Sequence, residues 1–326
     1  MKTRKLGQTD LELTTIGLGT WAIGGSWQFG WGPQEESDSR KTIFEAIDAG
    51  INWIDTAPVY GCGQSEITLG RALQEVSQKP IIATKCGLVW SERREKVNCL
   101  DAKSIVSECE ASLKRLGIDT IDLYQMHWPV PDSQIEEAYE AMVRCVEAGK
   151  VRYLGVSNFS VDQISRVRGI HRLASLQPPY SMINRGIEEE ILEFCGQNDI
   201  GVVAYSPMGR GLLTGKFSHE RLCQLAGDDH RLKSFDFQAP YFEATLELVE
   251  SLKPIAEDNK ITLAQLAICW VLRRQEVTSA IVGARRAGQI SETAQAAQVE
   301  LACGDIAEIE NLLAERDEKI REKLGK

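Results

Sequence analysis

Short apolar runs alternate along the chain with longer amphipathic stretches. The runs are rich in β-branched residues and have the length of buried strands. They cover residues 16–18, 53–55, 81–84, 121–125, 151–156, 174–177, 202–205 and 279–282. The intervening stretches place apolar residues three and four positions apart, which predicts helices. These include residues 37–49, 65–76, 102–116, 135–148, 161–169, 187–197 and 263–273.

Residue types at the predicted helix ends agree with this alternation. Serine and aspartate favour N-caps, and glycine favours the position after the last helical turn. N-caps are predicted at Ser37, Ser65 and Asp101. Terminating glycines are predicted at Gly50, Gly117 and Gly149.

Strand and helix in regular alternation favour an α/β fold, specifically one closed (β/α)8 TIM barrel over residues 1–326. Two separate α/β domains are less consistent with the sequence, because no linker or shift in composition divides the series of strands and helices. Residues 4–13 hold turn residues between two short β-capable runs, which predicts an N-terminal β-hairpin that plugs the N-terminal barrel mouth. The long connections 24–34 and 207–240 are candidate active-site loops.

Composition and charge narrow the function. The chain of 326 residues is 43% hydrophobic and 26% charged, values that exclude disordered and fibrous classes. Its net charge of −10 repels polyanions, so nucleic acid and anionic membranes are poor partners. We expect a small-molecule substrate.

The nine cysteines indicate a reducing compartment. They are odd in number and show no metal-ligand spacing, so we predict no metal site. Residues 1–7 lack the apolar run of a signal peptide, and no apolar stretch reaches the roughly 18 residues of a membrane span. These features predict a cytoplasmic protein.

Catalytic groups of a (β/α)8 barrel lie at the C-terminal ends of its strands. Asp55 ends the second predicted strand, and Tyr60 follows in the same loop; Lys85 and His127 end the third and fourth. Carbonyl reduction needs such groups, because negative charge develops on oxygen as hydride reaches carbon. Tyr60 is the candidate proton donor. We expect Lys85 to favour its ionised form, Asp55 to hold Lys85, and His127 to orient the carbonyl.

Each of these residues also has a purely structural interpretation. Asp55 fits a cap, Lys85 a surface lysine, Tyr60 a loop anchor and His127 a core histidine. Taken singly, the structural interpretation is the better one. Their joint placement at adjacent strand ends favours catalysis.

Seven segments occur in a characteristic order. They are GLGTW at 17–21, DTAPVYG at 55–61, TK at 84–85, HWP at 127–129, GVSNF at 155–159, LQPPYS at 176–181 and YSPM at 205–208. Over essentially its whole length the chain therefore resembles the aldo-keto reductase superfamily. The family's tetrad falls on Asp55, Tyr60, Lys85 and His127. Residues 210–217 resemble the branch that contains bacterial sugar and inositol-linked reductases and potassium-channel β subunits.

A nicotinamide dinucleotide is the expected hydride carrier, because no metal, flavin or Schiff-base motif is evident. Residues 17–22 fit G-x-G-x-x-A, but residues 24–27 cannot begin the helix that a Rossmann fingerprint requires. The resemblance implies instead a dinucleotide extended across the barrel mouth. The residues it assigns to cofactor binding are Thr20, Trp21, Asp55, Ser157, Asn158, Gln177, Tyr205, Ser206, Pro207, Met208, Gly209, Gly211, Lys216, Arg231, Gly283, Arg285, Arg286, Gln289, Glu292 and Thr293.

Three roles follow from this resemblance. Ser157, Asn158 and Gln177 would bind the carboxamide, and Tyr205 would stack on the nicotinamide. The adjacent Arg285 and Arg286 would bind a 2′-phosphate, which favours NADP(H) over NAD(H). Thr293 stands where the family often has Asn, which weakens the expected adenine contact.

Aromatic residues in the predicted loops form a candidate wall for the substrate. They are Trp27, Phe29, Trp31, Trp90 and Trp128. Such a wall suits flat or extended carbonyl compounds, although core packing explains aromatic residues equally well.

The leading hypothesis is an NADP(H)-dependent reductase that interconverts aldehydes or ketones and alcohols, with Tyr60 as general acid. An alternative is an NADP(H)-sensing regulatory subunit on the same fold, which would bind nucleotide tightly and turn over slowly. A third is a barrel hydrolase or aldolase that uses Lys85 as a Schiff-base nucleophile. The residues around Lys85 and the cofactor segments disfavour it.

Overall fold

The computed structural model describes residues 1–227 and 229–325, so Asp228 in the second long loop and Lys326 lie outside the described residues. The strands are β1 (Thr3–Lys5), β2 (Glu12–Thr14), β3 (Ile16–Gly19), β4 (Trp53–Asp55), β5 (Ile81–Cys86), β6 (Leu88–Trp90), β7 (Lys96–Asn98), β8 (Ile121–Met126), β9 (Val151–Ser157), β10 (Ser175–Gln177), β11 (Gly201–Tyr205) and β12 (Val277–Gly283). The helices are α1 (Glu36–Asp48), α2 (Gln64–Glu75), α3 (Ala102–Leu116), α4 (Ile135–Glu147), α5 (Val161–Arg168), α6 (Ile191–Gln197), α7 (His219–Cys223), α8 (Tyr241–Asp258), α9 (Leu263–Leu272), α10 (Gln289–Ala294) and α11 (Cys303–Leu324).

Eight of these strands form a closed parallel barrel, in the order β3-β4-β5-β8-β9-β10-β11-β12 with β12 returning to β3. Each strand coincides with one of the predicted apolar runs to within two or three residues. These runs are apolar on both faces because one side of each strand fills the barrel and the other packs under helices. The prediction of a (β/α)8 TIM barrel is confirmed.

The barrel interior is closed near its N-terminal end by Trp53. The ring of Trp53 occupies space that a side chain on Gly17 would need, since a Cβ there would lie 2.1 Å from it. Its indole nitrogen donates to the Thr14 carbonyl at 3.2 Å and the Ser279 hydroxyl at 3.0 Å. Gly17 therefore serves packing inside β3.

The N-terminal hairpin is present as predicted. β1 and β2 pair antiparallel, with Arg4 opposite Leu13. Leu6, Leu11 and Leu13 pack onto the interior of the barrel in one buried cluster with Trp53. The hairpin therefore plugs the barrel mouth opposite the one where function is expected.

The helix ends agree with only part of the capping prediction. Asp101 caps α3 by accepting from Lys103 N and Ser104 N, each at 3.0 Å. The predictions for Ser37 and Ser65 are wrong: both lie inside their helices. The three glycines predicted to terminate helices all have left-handed φ angles, at Gly50, Gly117 and Gly149.

Further elements complete the molecule. α8 packs against α11, and β6 pairs with β7 in a hairpin that follows β5. Within residues 1–227 and 229–325, no helix has both the length and the hydropathy needed to cross a membrane.

Glu108 gives the barrel a pH-dependent contribution to stability. This α3 carboxyl is buried between Gly87 N at 3.0 Å and the Ser104 hydroxyl at 2.9 Å. Burial raises the pKa of Glu108 from 4.5 to about 7. The folded state thus binds the proton more tightly than the unfolded chain does. Its contribution is complete below about pH 4.5 and is lost as the pH rises through about 7.

Glu108→Gln is therefore expected to lose this component. Between pH 4.5 and 7 the free energy of unfolding of the wild type should fall relative to the variant by up to about 3 kcal/mol. Urea unfolding at stepped pH measures the difference, and the exposed Glu110→Gln on the same helix is the matched control. Parallel pH profiles for wild type and Glu108→Gln would contradict the prediction.

Candidate active site

Adjacent strands bring the four predicted catalytic residues together. Asp55 ends β4 and Lys85 lies near the end of β5, which pairs with β4 on one side and β8 on the other. His127 follows β8 directly. Tyr60 lies in the turn after β4, where its amide donates to the Ala57 carbonyl at 3.2 Å. The parallel barrel thus delivers all four side chains to one rim.

Lys85 is the buried centre of this group and is fully inaccessible to solvent. Its ammonium donates to Asp55 Oδ2 at 2.6 Å, to the Thr56 carbonyl at 2.9 Å and to the Tyr60 hydroxyl at 3.3 Å. Desolvation lowers the pKa of Lys85, against the opposing effect of Asp55. An ammonium held by three acceptors at such depth is a poor Schiff-base nucleophile.

Tyr60 differs from the expectation in its acidity. Burial and the Asp55 carboxylate raise the pKa of Tyr60 well above 10.0. We expected Lys85 to lower it, but burial, which is the larger cause, and the negative charge of Asp55 together outweigh the effect of the ammonium. Tyr60 therefore keeps its proton at every ordinary pH, which is the state that a proton donor requires.

Two glutamines hold the second oxygen of Asp55. Gln177 Nε2 donates to Asp55 Oδ1 at 2.8 Å and Gln125 Nε2 lies 3.3 Å from the same atom. Gln177 was expected to bind a carboxamide, and this contact gives it a positioning role as well. Gln125 was missed, although a polar residue inside the apolar run of β8 was a signal for it.

His127 lies edge-on to Tyr60, with ring centroids 5.8 Å apart and an interplanar angle of 81°. Burial, Lys85 and Lys96 lower the pKa of His127 well below 6.5, so the ring is neutral. Its Nδ1 is buried without a hydrogen-bond partner among the described residues. We assign the tautomer with the proton on Nε2, because buried N–H groups without an acceptor are rare in proteins and this tautomer leaves none at Nδ1.

A cleft of about 910 Å³ opens over these groups at the C-terminal end of the barrel. Tyr60, His127 and most of the residues expected at the cofactor and substrate line it. The lining residues from those predictions are Trp21, Trp27, Phe29, Trp31, Asp55, Trp128, Ser157, Asn158, Gln177, Tyr205, Ser206, Pro207, Met208, Gly209, Gly211, Lys216, Arg231, Gly283, Arg285, Arg286, Gln289, Glu292 and Thr293. Both predicted long loops contribute to it.

Thr20 and Trp90 do not line the cleft and are corrections to the prediction. Thr20 is fully buried, where its hydroxyl donates to the Asp55 carbonyl at 3.1 Å and accepts from Ser65 at 2.7 Å. It therefore braces β4 from within. Trp90 lies under the guanidinium of Arg115, 5.9 Å from its ring centre, so its ring packs against α3.

The expected nicotinamide end is a connected set of polar groups. Asn158 has a left-handed φ of 63°, and its amide donates to the His127 carbonyl at 3.0 Å and to Ser157 Oγ at 2.9 Å. The hydroxyl of Tyr205 donates to Asn158 Oδ1 at 2.8 Å, which fixes the Tyr205 ring at the cleft wall. These bonds link the proposed stacking residue to His127.

The turn after β11 bends sharply through left-handed backbone. Ser206, Gly209, Arg210 and Gly211 all have positive φ angles, and the Arg210 side chain is tied to Asp236 at 2.8 Å. Glycine at 209 and 211 makes two of these conformations possible without strain. The turn leads to Lys216, which lines the cleft.

Arg285 is not free to act as a simple phosphate ligand, which corrects its expected role. Its guanidinium donates to the Trp31 carbonyl at 2.7 Å, the Pro33 carbonyl at 2.7 Å and Gln34 Oε1 at 3.0 Å. Gln34 in turn donates to the Arg285 carbonyl at 2.8 Å. Arg285 thus clasps the first long loop to the end of β12. Sequence gave no signal for this pairing.

Two other arginines at this end are placed differently. Arg286 is exposed and its side chain has no partner among the described residues. Arg231 is ion-paired with Asp229 at 2.6 Å and stacks on Trp31, 4.6 Å from the ring centre. Arg286 is therefore the available guanidinium.

The residues expected near adenine are committed to local hydrogen bonds. Gln289 Oε1 accepts from Arg285 N at 2.9 Å and from Arg286 N at 3.1 Å, while the Thr293 hydroxyl donates to the Gln289 carbonyl at 2.9 Å. These hydrogen bonds stabilise the first turns of α10. Glu292, also on α10, places its carboxylate at the cleft.

The aromatic wall consists of rings in contact. Trp27 packs on Phe29 with centroids 5.4 Å apart and on Tyr60 at 6.3 Å, and Trp31 packs on Trp21 at 5.4 Å. Trp128 lies at the rim and is 39% exposed. Except for Trp90, the expected substrate residues therefore all line the cleft.

Comparison with known proteins defines the class to which this fold and site belong. The family model described as Aldo/keto reductase family matches residues 15–314. The chain belongs to the aldo-keto reductase family, whose members are oxidoreductases that act on carbonyl and alcohol groups and use nicotinamide cofactors.

Particular relatives cover nearly the whole chain. It is 42% identical over 293 residues to aldo-keto reductase YhdN of Bacillus subtilis, covering 89% of this chain and 87% of that protein. It is 35% identical over 320 residues to the NADH-specific methylglyoxal reductase of Escherichia coli, covering 94% and 96%. The glycerol dehydrogenase AKR11B4 from Gluconobacter oxydans superposes with a TM-score of 0.89 at 38% identity, covering 97% of this chain and 96% of that one.

Proposed function

We propose that the protein is an NADP(H)-dependent reductase that interconverts aldehydes or ketones and alcohols, with Tyr60 as the general acid. The observation that carries the proposal is the Tyr60 hydroxyl 3.3 Å from the ammonium of the buried Lys85–Asp55 pair, with the cleft open above it. Among the relatives, one is NADH-specific, so the preference for NADP(H) rests on this chain's own residues.

The cleft suits a dinucleotide. It extends from the catalytic group to the start of α10, and two cations, Lys216 and Arg286, line it. The side chains of these two residues form no ion pair within the described residues. Trp31 Nε1 is buried there and has no hydrogen-bond partner in the part of the chain that the structure describes. Asn158 and Ser157 would bind the carboxamide, Tyr205 would stack on the nicotinamide, and Arg286 would bind the 2′-phosphate. When bound, the reduced nicotinamide supplies the hydride.

The protein's own groups handle the proton. His127 Nε2–H orients the carbonyl oxygen, and Tyr60 donates its proton to that oxygen as negative charge develops. The phenolate that remains lies 3.3 Å from the Lys85 ammonium, which stabilises it. Asp55 keeps Lys85 charged and in place. Alcohol oxidation uses the same groups in reverse.

The test combines binding with turnover. Titration of tryptophan fluorescence with NADPH and NADH measures affinity, and nicotinamide absorbance then reports turnover of a panel of small aldehydes and ketones. NADPH binding with turnover supports the proposal. Tight binding with negligible turnover would replace it with the cofactor-sensing alternative, and binding of neither nucleotide would overturn both.

Substitutions of the two adjacent arginines, Arg285 and Arg286, should have different effects on nucleotide affinity in this titration. Arg286→Ala is expected to weaken NADPH about 10- to 100-fold with little effect on NADH, because it removes charge-assisted bonds to the 2′-phosphate. Arg285→Ala should weaken both nucleotides alike, because it releases the loop at residues 31–34. Arg274→Ala, paired with Glu276 away from the cleft, is the control. A selective loss of NADPH in Arg285→Ala would contradict the assignment.

A further inference from the structure

The β6–β7 hairpin places a lysine at the substrate side of the cleft. Lys96 begins β7, opposite Trp90 in the hairpin register. It lines the cleft that also holds Tyr60 and His127. Its ammonium lies 5.7 Å from the centre of the Phe29 ring. Lys96 therefore lies beside Phe29 of the aromatic wall. No pattern in the sequence indicated this position.

The backbone that carries Lys96 is anchored on both sides. The Lys96 amide donates to Gln28 Oε1 at 2.8 Å, which ties the hairpin to the first long loop. Arg94 donates to the Gly61 carbonyl at 3.1 Å, next to Tyr60 in sequence. The hairpin is thus fixed to the two segments that carry Phe29 and Tyr60.

Lys96 is a cation without a counterion. No carboxylate lies within 4.0 Å of its ammonium among residues 1–227 and 229–325. By contrast, Lys85 is paired with Asp55, and Arg210 with Asp236. The charge of Lys96 reaches the catalytic pocket, since it contributes to the lowered pKa of His127.

Donors also predominate among the other polar groups around this part of the cleft, since the Asp55 carboxylate that lines it is already bound by Lys85, Gln177 and Gln125. The Tyr60 hydroxyl and the neutral His127 offer protons, and Trp27 Nε1 is a buried donor with no acceptor among the described residues. The remaining lining there is apolar, as at Val59 and Leu88. A ligand that complements such a pocket must bring acceptors and negative charge.

We propose that Lys96 selects aldehyde and ketone substrates that carry an anionic group, a carboxylate or a phosphate monoester, by forming an ion pair with that group while the carbonyl lies at Tyr60 and His127. This inference rests on the proposed reductase function and adds a substrate class to it. Lys96 acts in substrate binding and takes no part in proton transfer.

The test compares pairs of substrates that share the reacting carbonyl and differ in whether they carry an anionic group. Succinic semialdehyde is measured against its methyl ester, and glyceraldehyde phosphate against glyceraldehyde, so the two pairs distinguish a carboxylate from a phosphate. The readout is the ratio of kcat/KM for the anionic over the neutral member of each pair, in wild type and in Lys96 variants. The exposed Lys103→Met is the matched control.

Wild type should favour the anionic member of at least one pair. Lys96→Met should lower that ratio roughly tenfold, Lys96→Arg should restore it, and Lys96→Glu should invert it. Salt should reduce the preference in wild type and leave the ratio of Lys96→Met unchanged. A wild-type ratio near one in both pairs, or an equal loss for both members in Lys96→Met, would overturn the proposal.

A second measurement keeps this result separate from the reductase assignment. The NADP-loaded protein is titrated by calorimetry with the hydroxy acid that reduction of succinic semialdehyde would form, and with the methyl ester of that acid. This titration reports ion pairing without turnover. A preference for the acid that disappears in Lys96→Met supports Lys96 even if no carbonyl is reduced. Turnover of neutral aldehydes without any preference for the acid would leave the reductase intact and overturn the role of Lys96.

Discussion

Replacing Tyr60 with phenylalanine is expected to lower kcat/KM for carbonyl reduction by about 10²- to 10⁴-fold. The change removes the hydroxyl that Lys85 contacts and leaves the ring that packs on Trp27 and His127. Because only the proton donor is lost, the affinity for NADPH should stay close to that of the wild type. Steady-state kinetics and fluorescence titration on the same preparation measure both quantities.

Tyr153→Phe is the matched control for this variant. Tyr153 hydrogen-bonds Asp10 at the opposite end of the barrel, so its loss should leave turnover unchanged. Normal reduction by Tyr60→Phe would reject Tyr60 as the general acid. A parallel loss of turnover and of NADPH affinity would instead assign Tyr60 to cofactor binding.

Lys85→Met is expected to destabilise the fold by about 3–5 kcal/mol and to abolish reduction. It leaves the Asp55 carboxylate buried and without its counterion, with the side chains of Gln177 and Gln125 still donating to it. Adding Asp55→Asn removes that stranded charge. The double variant should therefore be more stable than Lys85→Met while remaining inactive.

A double-mutant cycle by urea unfolding measures this coupling. Wild type, both single variants and the double variant supply the four free energies of unfolding, and circular dichroism shows that each variant is folded. Additive effects of the two substitutions would show that the charges act independently and would contradict the ion pair as the stabilising unit.

The barrel and its catalytic group were predictable because each rests on a local pattern. A strand buried on both faces leaves an apolar run, and a catalytic residue at a strand end follows that run directly. Asp55, Lys85 and His127 all stand at such positions. Tyr60 lies in the loop after Asp55. The cofactor-binding residues were predicted from the family resemblance.

Contacts between distant segments were not predictable. Arg285 and Trp31 are 254 positions apart in sequence. The prediction for Arg285 therefore rested on its charge alone and missed its hydrogen bonds to the first long loop. Trp90 was assigned to the substrate wall for its type alone. The predicted direction of the Tyr60 pKa was wrong for a related reason: burial, the larger cause, and the charge of Asp55 raise this pKa, and both depend on how the segments pack in space.

The closure of the barrel between β3 and β12 has a consequence for how the chain is made. Ser279 on β12 donates to the Thr14 carbonyl at 2.7 Å, across 265 positions of sequence. During vectorial synthesis β3 and the plugging hairpin emerge long before β12, and until then one edge of β3 has no neighbour. Incomplete chains therefore expose an unpaired strand edge, the kind of surface on which chaperones act. We expect this barrel to acquire its native topology only in the last stage of translation.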